Sequence, residues 1–296
     1  MARVPAHRHH DHLGRKAESR RTRSQEENED ETLLRTVPVN LPDNPASRRI
    51  RAGEGVTLER VMENEHRPSD SPYIERVYRS DGVSATGRMQ SVASTHWELA
   101  IWTHRGSTQV AVRGPETRPS TVPVLPEISP FGILFAHGAA MPHLPIPSLV
   151  DSAMRSPHVT SRAFMLRGQE WELPTYDNAE DFVDQLVRVG VLVRDPLVTD
   201  VVADDDVPCL TARTVQRRVV AATGLTRGAI RQIERARQAA MLLREDVAPR
   251  EVVQRLGYYD QPHLARSLAR FIGRTATELR RPNLDDPLSL LYKTGR

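Results

Sequence analysis

The chain has 296 residues, with 41 Lys and Arg against 38 Asp and Glu, and a formal net charge of +3. Its length accommodates two modest domains and a tail, and its single cysteine excludes an intramolecular disulfide and a Cys-rich zinc site. No stretch reaches about 18 uninterrupted apolar residues and the first residues lack the apolar core of a signal peptide, so we expect a cytoplasmic protein that does not enter a membrane.

Residues 1–68 are rich in Arg, Glu, Asp, Ser, Asn and Pro, and their few apolar residues follow no period. Such a segment buries too little apolar surface to offset the entropy lost on ordering, so we predict a disordered N-terminal tail. A metal could bind His7, His9, His10 and His12, but we favour a solvated tail.

Residues 69–194 are predicted to form a mixed, β-rich domain. Runs of β-branched and aromatic residues, broken by Gly and Pro, predict strands at 73–78, 97–103, 108–112 and 132–136. The apolar pattern of residues 178–193 predicts a helix that ends this domain. His96 and Glu98 resemble a pair of strand metal ligands, but an ordinary histidine explains this spacing better, and we assign no metal, no cofactor and no catalytic residue.

Residues 195–210 are predicted to be an acidic linker, because five Asp lie in the stretch from Asp195 to Asp206. Residues 211–282 predict consecutive helices, and residues 283–296 are left as a C-terminal tail. Each helix has a capping residue, a proline in its first turn or a glycine at its end. These signals are Thr211, Gly224, Thr226 with a helix to about Arg244, Pro249, Gly257, Asp260, Gly273, and a capping box of Thr275 and Glu278.

An internal repeat appears when the helical segment is compared with itself at an offset of 49 residues. The matched positions recur by type: apolar core residues, an Arg between them, a glycine at the helix end and a threonine cap. The pairs are Val215 and Leu264, Arg217 and Arg266, Val219 and Leu268, Gly224 and Gly273, Thr226 and Thr275, Ile230 and Leu279, and Arg231 and Arg280. The repeat indicates one supersecondary unit that is used twice.

The second copy has the pattern of a helix-turn-helix unit, with helices at 249–256 and 261–272 and a turn at 257–260. Long polar side chains on its second helix lie outside the apolar stripe and are predicted to face solvent. They are Gln261, His263, Arg266 and Arg270, and Arg213, Gln216 and Arg217 have the equivalent place in the first copy. Arg and Gln at such positions form paired hydrogen bonds with guanine and adenine in the DNA major groove.

The charge of the chain is segregated. Residues 211–281 contain 15 Arg and 6 acidic residues, a net charge of +9, which leaves −6 for the rest of the chain. A basic helical module beside an acidic remainder favours binding to nucleic acid, because phosphates attract positive charge without regard to base sequence.

Three motifs in the helical segment are long and specific: Thr211-Ala-Arg-Thr-Val-Gln-Arg-Arg-Val, Ala222-Thr-Gly-Leu-Thr, and Leu256-Gly-Tyr-Tyr-Asp-Gln-Pro-His-Leu-Ala-Arg-Ser-Leu-Ala-Arg-Phe-Ile-Gly-Arg-Thr. Over about 70 residues they resemble the DNA-binding domain of AraC/XylS-type transcription regulators. The resemblance implies two helix-turn-helix units that read adjacent major-groove segments of double-stranded DNA. It places Arg213, Gln216 and Arg217 on the first recognition helix and Pro262, His263 and Arg266 on the second, facing the groove.

The resemblance also implies an N-terminal domain that binds a small-molecule effector or forms a homodimer, and a protein of the bacterial nucleoid. The predicted fold class is therefore α+β: a β-rich, sensor-like domain at residues 69–194, followed by an all-α domain with two helix-turn-helix units at residues 211–282. The predicted function is sequence-specific regulation of transcription.

One departure from the family lies before the first recognition helix. The family has an Ala-rich helix there, whereas this chain has three consecutive Asp, at 204–206, and a proline. We therefore predict a short or broken helix, and we expect the second unit to dominate affinity. Asp204 to Asp206 are further expected to shield the first recognition helix from DNA.

Two other functions compete with this prediction. An enzyme is disfavoured because the chain lacks a Gly-rich phosphate loop, a Gly-x-Ser-x-Gly elbow and a His-Glu-x-x-His motif, and Cys209 follows an acidic run that would not activate a thiolate. A sensor-domain enzyme fused to a DNA-binding module is a variant of that alternative. The other is a regulator that acts mainly through protein–protein contacts, in which the Arg-bearing helices bind an acidic partner.

Overall fold

A computed structural model describes residues 37–38, 63–81, 87–123, 128–203, 210–281 and 288–289. The strands in this part of the chain are β1 (Val37–Pro38), β2 (Glu63–Arg67), β3 (Ile74–Asp81), β4 (Arg88–Ser91), β5 (Glu98–His104), β6 (Ser107–Arg113), β7 (Ser120–Pro123), β8 (Ser129–Phe135), β9 (Ala139–Ala140), β10 (Ser152–Arg155), β11 (Ala163–Leu166), β12 (Gln169–Glu172), β13 (Val193–Arg194) and β14 (Leu288–Ser289). The helices are α1 (Ala179–Arg188), α2 (Pro196–Val202), α3 (Ala212–Thr223), α4 (Arg227–Arg244), α5 (Pro249–Arg255), α6 (Gln261–Phe271) and α7 (Ala276–Leu279), with a 3-10 helix at Ile146–Leu149. A β-rich region, residues 63–194, is thus followed by a helical region, residues 196–281, as predicted.

The main sheet has seven antiparallel strands in the order β1-β10-β6-β5-β8-β3-β2. Its strands β3, β5, β6 and β8 overlap the four predicted strand runs. Four successive residues of β5, from Glu98 to Ile101, are all buried. Because successive side chains of a strand point to opposite faces, both faces of β5 are covered, which explains its nearly continuous apolar sequence.

The hydrophobic core of the β-rich region lies between the sheet, α1 and the β11–β12 hairpin. The Trp97 ring stacks on Phe135 with ring centroids 3.9 Å apart, and its indole N–H donates to the carbonyl oxygen of Ala139 at 2.8 Å. On α1 the buried residues are Ala179, Phe182, Val183 and Leu186, one stripe of an amphipathic helix. The predicted helix is confirmed but ends at Arg188 rather than 193, since Gly190 is left-handed (φ +73°) and residues 193–194 form β13.

The edge strand β2 lies inside the stretch predicted to be a disordered tail. Residues 63–67 pair with β3, and residues 37–38 pair with β10, so the predicted boundary at 68 is wrong. Arg67 at the end of β2 explains the difference, because it reaches across to α1. Its guanidinium donates to both Glu180 carboxylate oxygens, at 2.6 and 2.7 Å, and to the Tyr176 carbonyl oxygen at 2.7 Å. The remaining residues of the predicted tail lie outside the described residues.

The Arg67–Glu180 ion pair is expected to make stability depend on pH. Its hydrogen bonds to Arg67 lower the pKa of Glu180 to about 2. A depressed carboxylate pKa contributes stability above the unfolded value of about 4.3, and this stability is lost as pH falls through the folded pKa. Both side chains are 31% exposed, so we expect Glu180→Gln to lower the unfolding free energy by only about 1 kcal/mol at pH 7.

Denaturant unfolding of wild type and Glu180→Gln between pH 2 and pH 7 measures this effect. The difference between the two proteins should shrink steadily below pH 4 and vanish near pH 2. Asp184→Asn removes an exposed carboxylate from the same helix and serves as the control for the loss of a surface charge. A Glu180→Gln difference that stays constant with pH would contradict the assignment.

A second stability prediction concerns Gly132 on β8. A Cβ atom at this position would lie 2.4 Å from two ring carbons of Tyr78, the cross-strand partner of Gly132. We expect Gly132→Ala to lower the unfolding free energy by about 1–3 kcal/mol, because the ring must move within a packed sheet. Gly228→Ala is the matched control: it meets nothing within 4 Å in helix α4 and should stabilise by about 0.4–1 kcal/mol. Equal effects of the two substitutions in thermal or chemical unfolding would refute the packing argument.

The helical region starts earlier than predicted. Residues 196–202 of the predicted acidic linker form α2, which Asp195 caps by accepting a hydrogen bond from the Leu197 N–H at 3.2 Å. Val198 and Val201 of α2 are buried in the helical core, so this part of the stretch is structural. Helix α2 includes residues 199–202, at the start of the stretch where a short or broken helix is predicted. Asp204 to Asp206 and Cys209 lie outside the described residues, and so does the expected shielding by these Asp.

The predicted helix signals from residue 211 onward are confirmed. Thr211, Thr226, Asp260 and Thr275 each accept a backbone hydrogen bond at a helix N-terminus, and Thr275 forms the capping box with Glu278. Helix α4 runs from Arg227 to Arg244, and its buried face contacts α3, α5, α6 and α7.

None of the helices in the described part of the chain has both the length and the apolar character needed to span a membrane.

One short segment of the β-rich region, residues 92–95, is built into the helical core. Val92 and Ala93 are fully buried among residues of the helical region. The Ala93 N–H donates to the carbonyl oxygen of Phe271, the last residue of α6, at 2.8 Å. The Ala93 carbonyl oxygen accepts from the Arg237 guanidinium at 2.8 Å. We call residues 92–95 the connecting segment, because it links the β4–β5 connection directly to the end of α6.

The connecting segment continues into a polar network. The Thr95 hydroxyl donates to the Glu234 carboxylate at 2.6 Å, so its oxygen accepts from the His137 Nε2–H at 3.1 Å. Burial lowers the pKa of His137 well below its ordinary value, and its ring lies against His96 with centroids 4.1 Å apart. A neutral His137 therefore donates to the Thr95 oxygen and keeps the Thr95 hydroxyl proton directed at the Glu234 carboxylate.

Candidate nucleic-acid interface

The eight side chains predicted to contact DNA lie on two helices. Seven of them are exposed and His263 is half-buried. They are Arg213, Gln216 and Arg217 on α3, and Gln261, Pro262, His263, Arg266 and Arg270 on α6. The opposite faces of both helices are buried, through Val219 and Ala222 on α3 and Leu264, Leu268 and Phe271 on α6. Each helix thus presents one polar, basic face to solvent.

Helix α6 follows a tightly held connection of five residues after α5. Gly257 takes the left-handed conformation (φ +65°) that ends the preceding helix. Tyr258 is buried, its hydroxyl lies 3.1 Å from the Ser267 hydroxyl, and the Arg235 guanidinium stacks 4.6 Å from its ring centroid. Burial raises the pKa of Tyr258. These contacts fix the start of α6 relative to α4.

The first turn of α6 is preorganised by its cap. The Asp260 carboxylate accepts the His263 N–H at 2.7 Å, and Pro262 occupies a first-turn position at which its missing N–H costs no hydrogen bond. The positive end of the helix dipole lies at this first turn, before Arg266, whereas Arg270 lies in the last turn of α6. This end of α6 is therefore suited to approach an anion.

Helix α3 is anchored by one arginine of its own. Arg218 forms a two-pronged pair with Asp195 at 2.7 and 2.5 Å, so this arginine holds α3 against the start of α2 and is not available for a ligand. At the other end, Gly224 is left-handed (φ +72°) and lies against Val150 of the β-rich region. Sequence reasoning did not separate Arg218 from its neighbour Arg217, because the partner lies 23 residues away.

The exposed arginines predicted to contact DNA have no acidic partner within the described part of the chain. Arg213, Arg217 and Arg266 form no ion pair with any residue that the structure describes. Arg270 lies over the Phe271 ring at 4.8 Å, which leaves its charge facing outward. Unpaired guanidinium groups on an exposed helix face are donors without acceptors, and phosphate oxygens and the acceptor edges of guanine match them.

Tyr259 is a candidate that sequence reasoning missed. It lies between Tyr258 and the capping residue Asp260, and 91% of its surface is exposed, whereas Tyr258 is 5% exposed. Its backbone N–H donates to the Nδ1 atom of His263 at 3.4 Å. Two adjacent tyrosines in a turn have no periodicity that tells which one is buried, so only the fold distinguishes them.

His96 and Glu98, the two residues that resemble strand metal ligands, are engaged in other contacts. The Nδ1 atom of His96 lies 2.9 Å from the Phe135 carbonyl oxygen, and Glu98 accepts from Arg113 at 2.8 Å. Burial raises the pKa of Glu98. Among the described residues, no group of three or more His, Cys, Asp or Glu could hold a metal ion.

Comparison of the chain with protein-family models, with curated proteins and with solved structures finds no match. The assignment of a function therefore depends on the residues and the geometry described above.

Proposed function

We propose that this protein is a sequence-specific, double-stranded-DNA-binding regulator of transcription of the AraC/XylS type. In this proposal α5 and α6 form one helix-turn-helix unit, α2 and α3 form a second, and α4 joins them. The observation that carries it is the basic, uncompensated and exposed face on both α3 and α6, the two helices that the sequence repeat relates. The mechanism is non-catalytic.

The proposed mechanism uses two kinds of contact, to phosphates and to bases. Arg213 and Arg270 bind phosphates and release counterions, which supplies affinity that is independent of sequence. Gln216, Arg217, His263 and Arg266 supply base discrimination, because paired donors on Arg match guanine and the amide of Gln matches adenine. Gln261 and Pro262 lie at the leading turn of α6, beside these residues.

Selection of bound DNA from a pool of random duplexes by the full chain tests this proposal. We expect one enriched sequence, and a site that spans two adjacent major-groove segments if both recognition helices are used. A palindromic site would indicate the homodimer that the family resemblance implies. No enriched sequence, together with equal binding to heparin and to random duplex, would favour the alternative of an acidic protein partner.

Salt dependence provides a separate prediction. We expect the affinity for the selected duplex to fall linearly in a plot of log affinity against log salt, by about 1,000-fold between about 50 and 200 mM salt, if six or more phosphates are contacted. Fluorescence anisotropy with the labelled duplex measures this slope. A slope near zero would contradict binding through the arginine faces of α3 and α6.

A further inference from the structure

The connection between α5 and α6 holds His263 in a defined hydrogen-bonding state. Because the Tyr259 N–H donates to Nδ1 of His263, that nitrogen is an acceptor and the ring proton lies on Nε2. Tyr258 holds the same ring from another side, in an edge-on contact with centroids 5.2 Å apart at 83°. No described residue accepts a hydrogen bond from Nε2, so His263 presents one N–H donor to the surroundings of α6.

The side chain of Tyr259 has no role in folding that the described contacts reveal. Its ring is 91% exposed, and its hydroxyl has no hydrogen-bond partner among the described residues. A tyrosine offers an apolar face and a hydroxyl donor, and tyrosine is among the side chains that contact DNA phosphates. Tyr259 is thus a free donor two residues before the first turn that carries Gln261 and Pro262.

We propose that Tyr259 and His263 act together on duplex DNA: the Nε2–H of His263 donates to the N7 atom of one purine in the major groove, and the Tyr259 hydroxyl donates to a phosphate oxygen of the adjoining backbone. This inference rests on the proposed DNA-binding function and adds two residue roles to it. Both purines present the N7 acceptor in the major groove, and the His263 donor disfavours cytosine, which presents an amino donor there. Tyr259 positions α6 by a contact that does not depend on base sequence.

The role of His263 is tested by replacing each purine of the selected site in turn with its 7-deaza analogue, which lacks the N7 acceptor. With the wild-type full chain we expect the 7-deaza replacement at one purine position to lower the affinity five- to tenfold. In His263→Ala the same replacement at that position should leave the affinity unchanged. His263→Gln retains an amide donor near the place of Nε2 and should keep the sensitivity at that position. The assignment fails if no purine position responds differently in wild type and His263→Ala.

The role of Tyr259 is tested with Tyr259→Phe, which removes only the hydroxyl. We expect a three- to tenfold loss of affinity that is the same for the selected and for random duplexes, with an unchanged salt slope because the hydroxyl is uncharged. A neutral methylphosphonate at one backbone position should reproduce this loss in wild type and have no effect on Tyr259→Phe. Val189→Ala, at another exposed apolar position, should bind as wild type.

The outcomes separate the two proposals. If wild type enriches no sequence, the proposed function fails and this inference fails with it. If wild type binds its selected site and Tyr259→Phe binds equally well, only the role of Tyr259 is refuted. Thermal unfolding of each variant is the control: an unfolding temperature equal to that of wild type assigns a loss of affinity to the lost contact.

Discussion

Replacing Arg266 with Ala is expected to lower the affinity of the full chain for its selected DNA site by about 10- to 100-fold, which corresponds to about 1–3 kcal/mol for one paired contact to a base. Arg266 is exposed on α6, it has no ion-pair partner among the described residues, and its helix begins at a cap that is firmly held. Arg217→Ala should cost less, because three consecutive Asp, at 204–206, precede α3 in the sequence and repel phosphate. Mobility-shift titration with both variants measures the difference.

Two further variants sharpen this experiment. Arg266→Lys keeps the charge but loses the planar pair of donors, so it should bind random duplex as wild type does and discriminate the selected site poorly. Arg162→Ala removes an equally exposed arginine from the β-rich region and should change affinity little. A larger loss for Arg217→Ala than for Arg266→Ala would overturn the dominance of the second unit.

Arg237→Ala is expected to be the most destabilising substitution of those considered, with a loss of about 3–5 kcal/mol of unfolding free energy. Arg237 is 2% exposed, donates to the Ala93 carbonyl oxygen at 2.8 Å, and lies 3.7 Å from the Glu234 carboxylate. Its removal leaves a buried carbonyl without its donor and a carboxylate without its countercharge.

Denaturant unfolding of the full chain, followed by both fluorescence and circular dichroism, measures this effect. Arg244→Ala, at an exposed position in the last turn of the same helix, is the control and should change the free energy by no more than about 0.5 kcal/mol. Arg237→Met restores most of the volume of the side chain without its charge. If Arg237→Met were as stable as wild type, the loss in Arg237→Ala would come from packing and not from the polar contacts.

The helices of residues 211–281 could be predicted because their signals are local. A cap such as Thr226 acts on an N–H three residues away, and a stop such as Gly224 depends on its own backbone angle. The exposed faces of α3 and α6 follow from the same short-range pattern. The central strands could be found for a similar reason, since their β-branched and aromatic runs are continuous.

Contacts between distant parts of the chain could not be predicted in this way. The Arg67–Glu180 pair spans 113 residues and turns a stretch predicted to be disordered into an edge strand. Arg218 resembles Arg217 in sequence, but only Arg218 has Asp195 within reach. The burial of Val92 and Ala93 in the helical core likewise depends on a tertiary contact with α4 and α6 that no periodicity encodes.

The connecting segment limits where the chain can be cut to prepare a stable fragment. The described β-rich and helical regions belong to one compact unit. A fragment that starts at residue 195 would lack Val92 and Ala93. It would leave an apolar gap beside α4, would remove the carbonyl oxygen to which Arg237 donates, and would leave the Phe271 carbonyl oxygen without the Ala93 N–H. Excision of the helical region would therefore yield a weakened domain whose DNA affinity understates that of the intact chain.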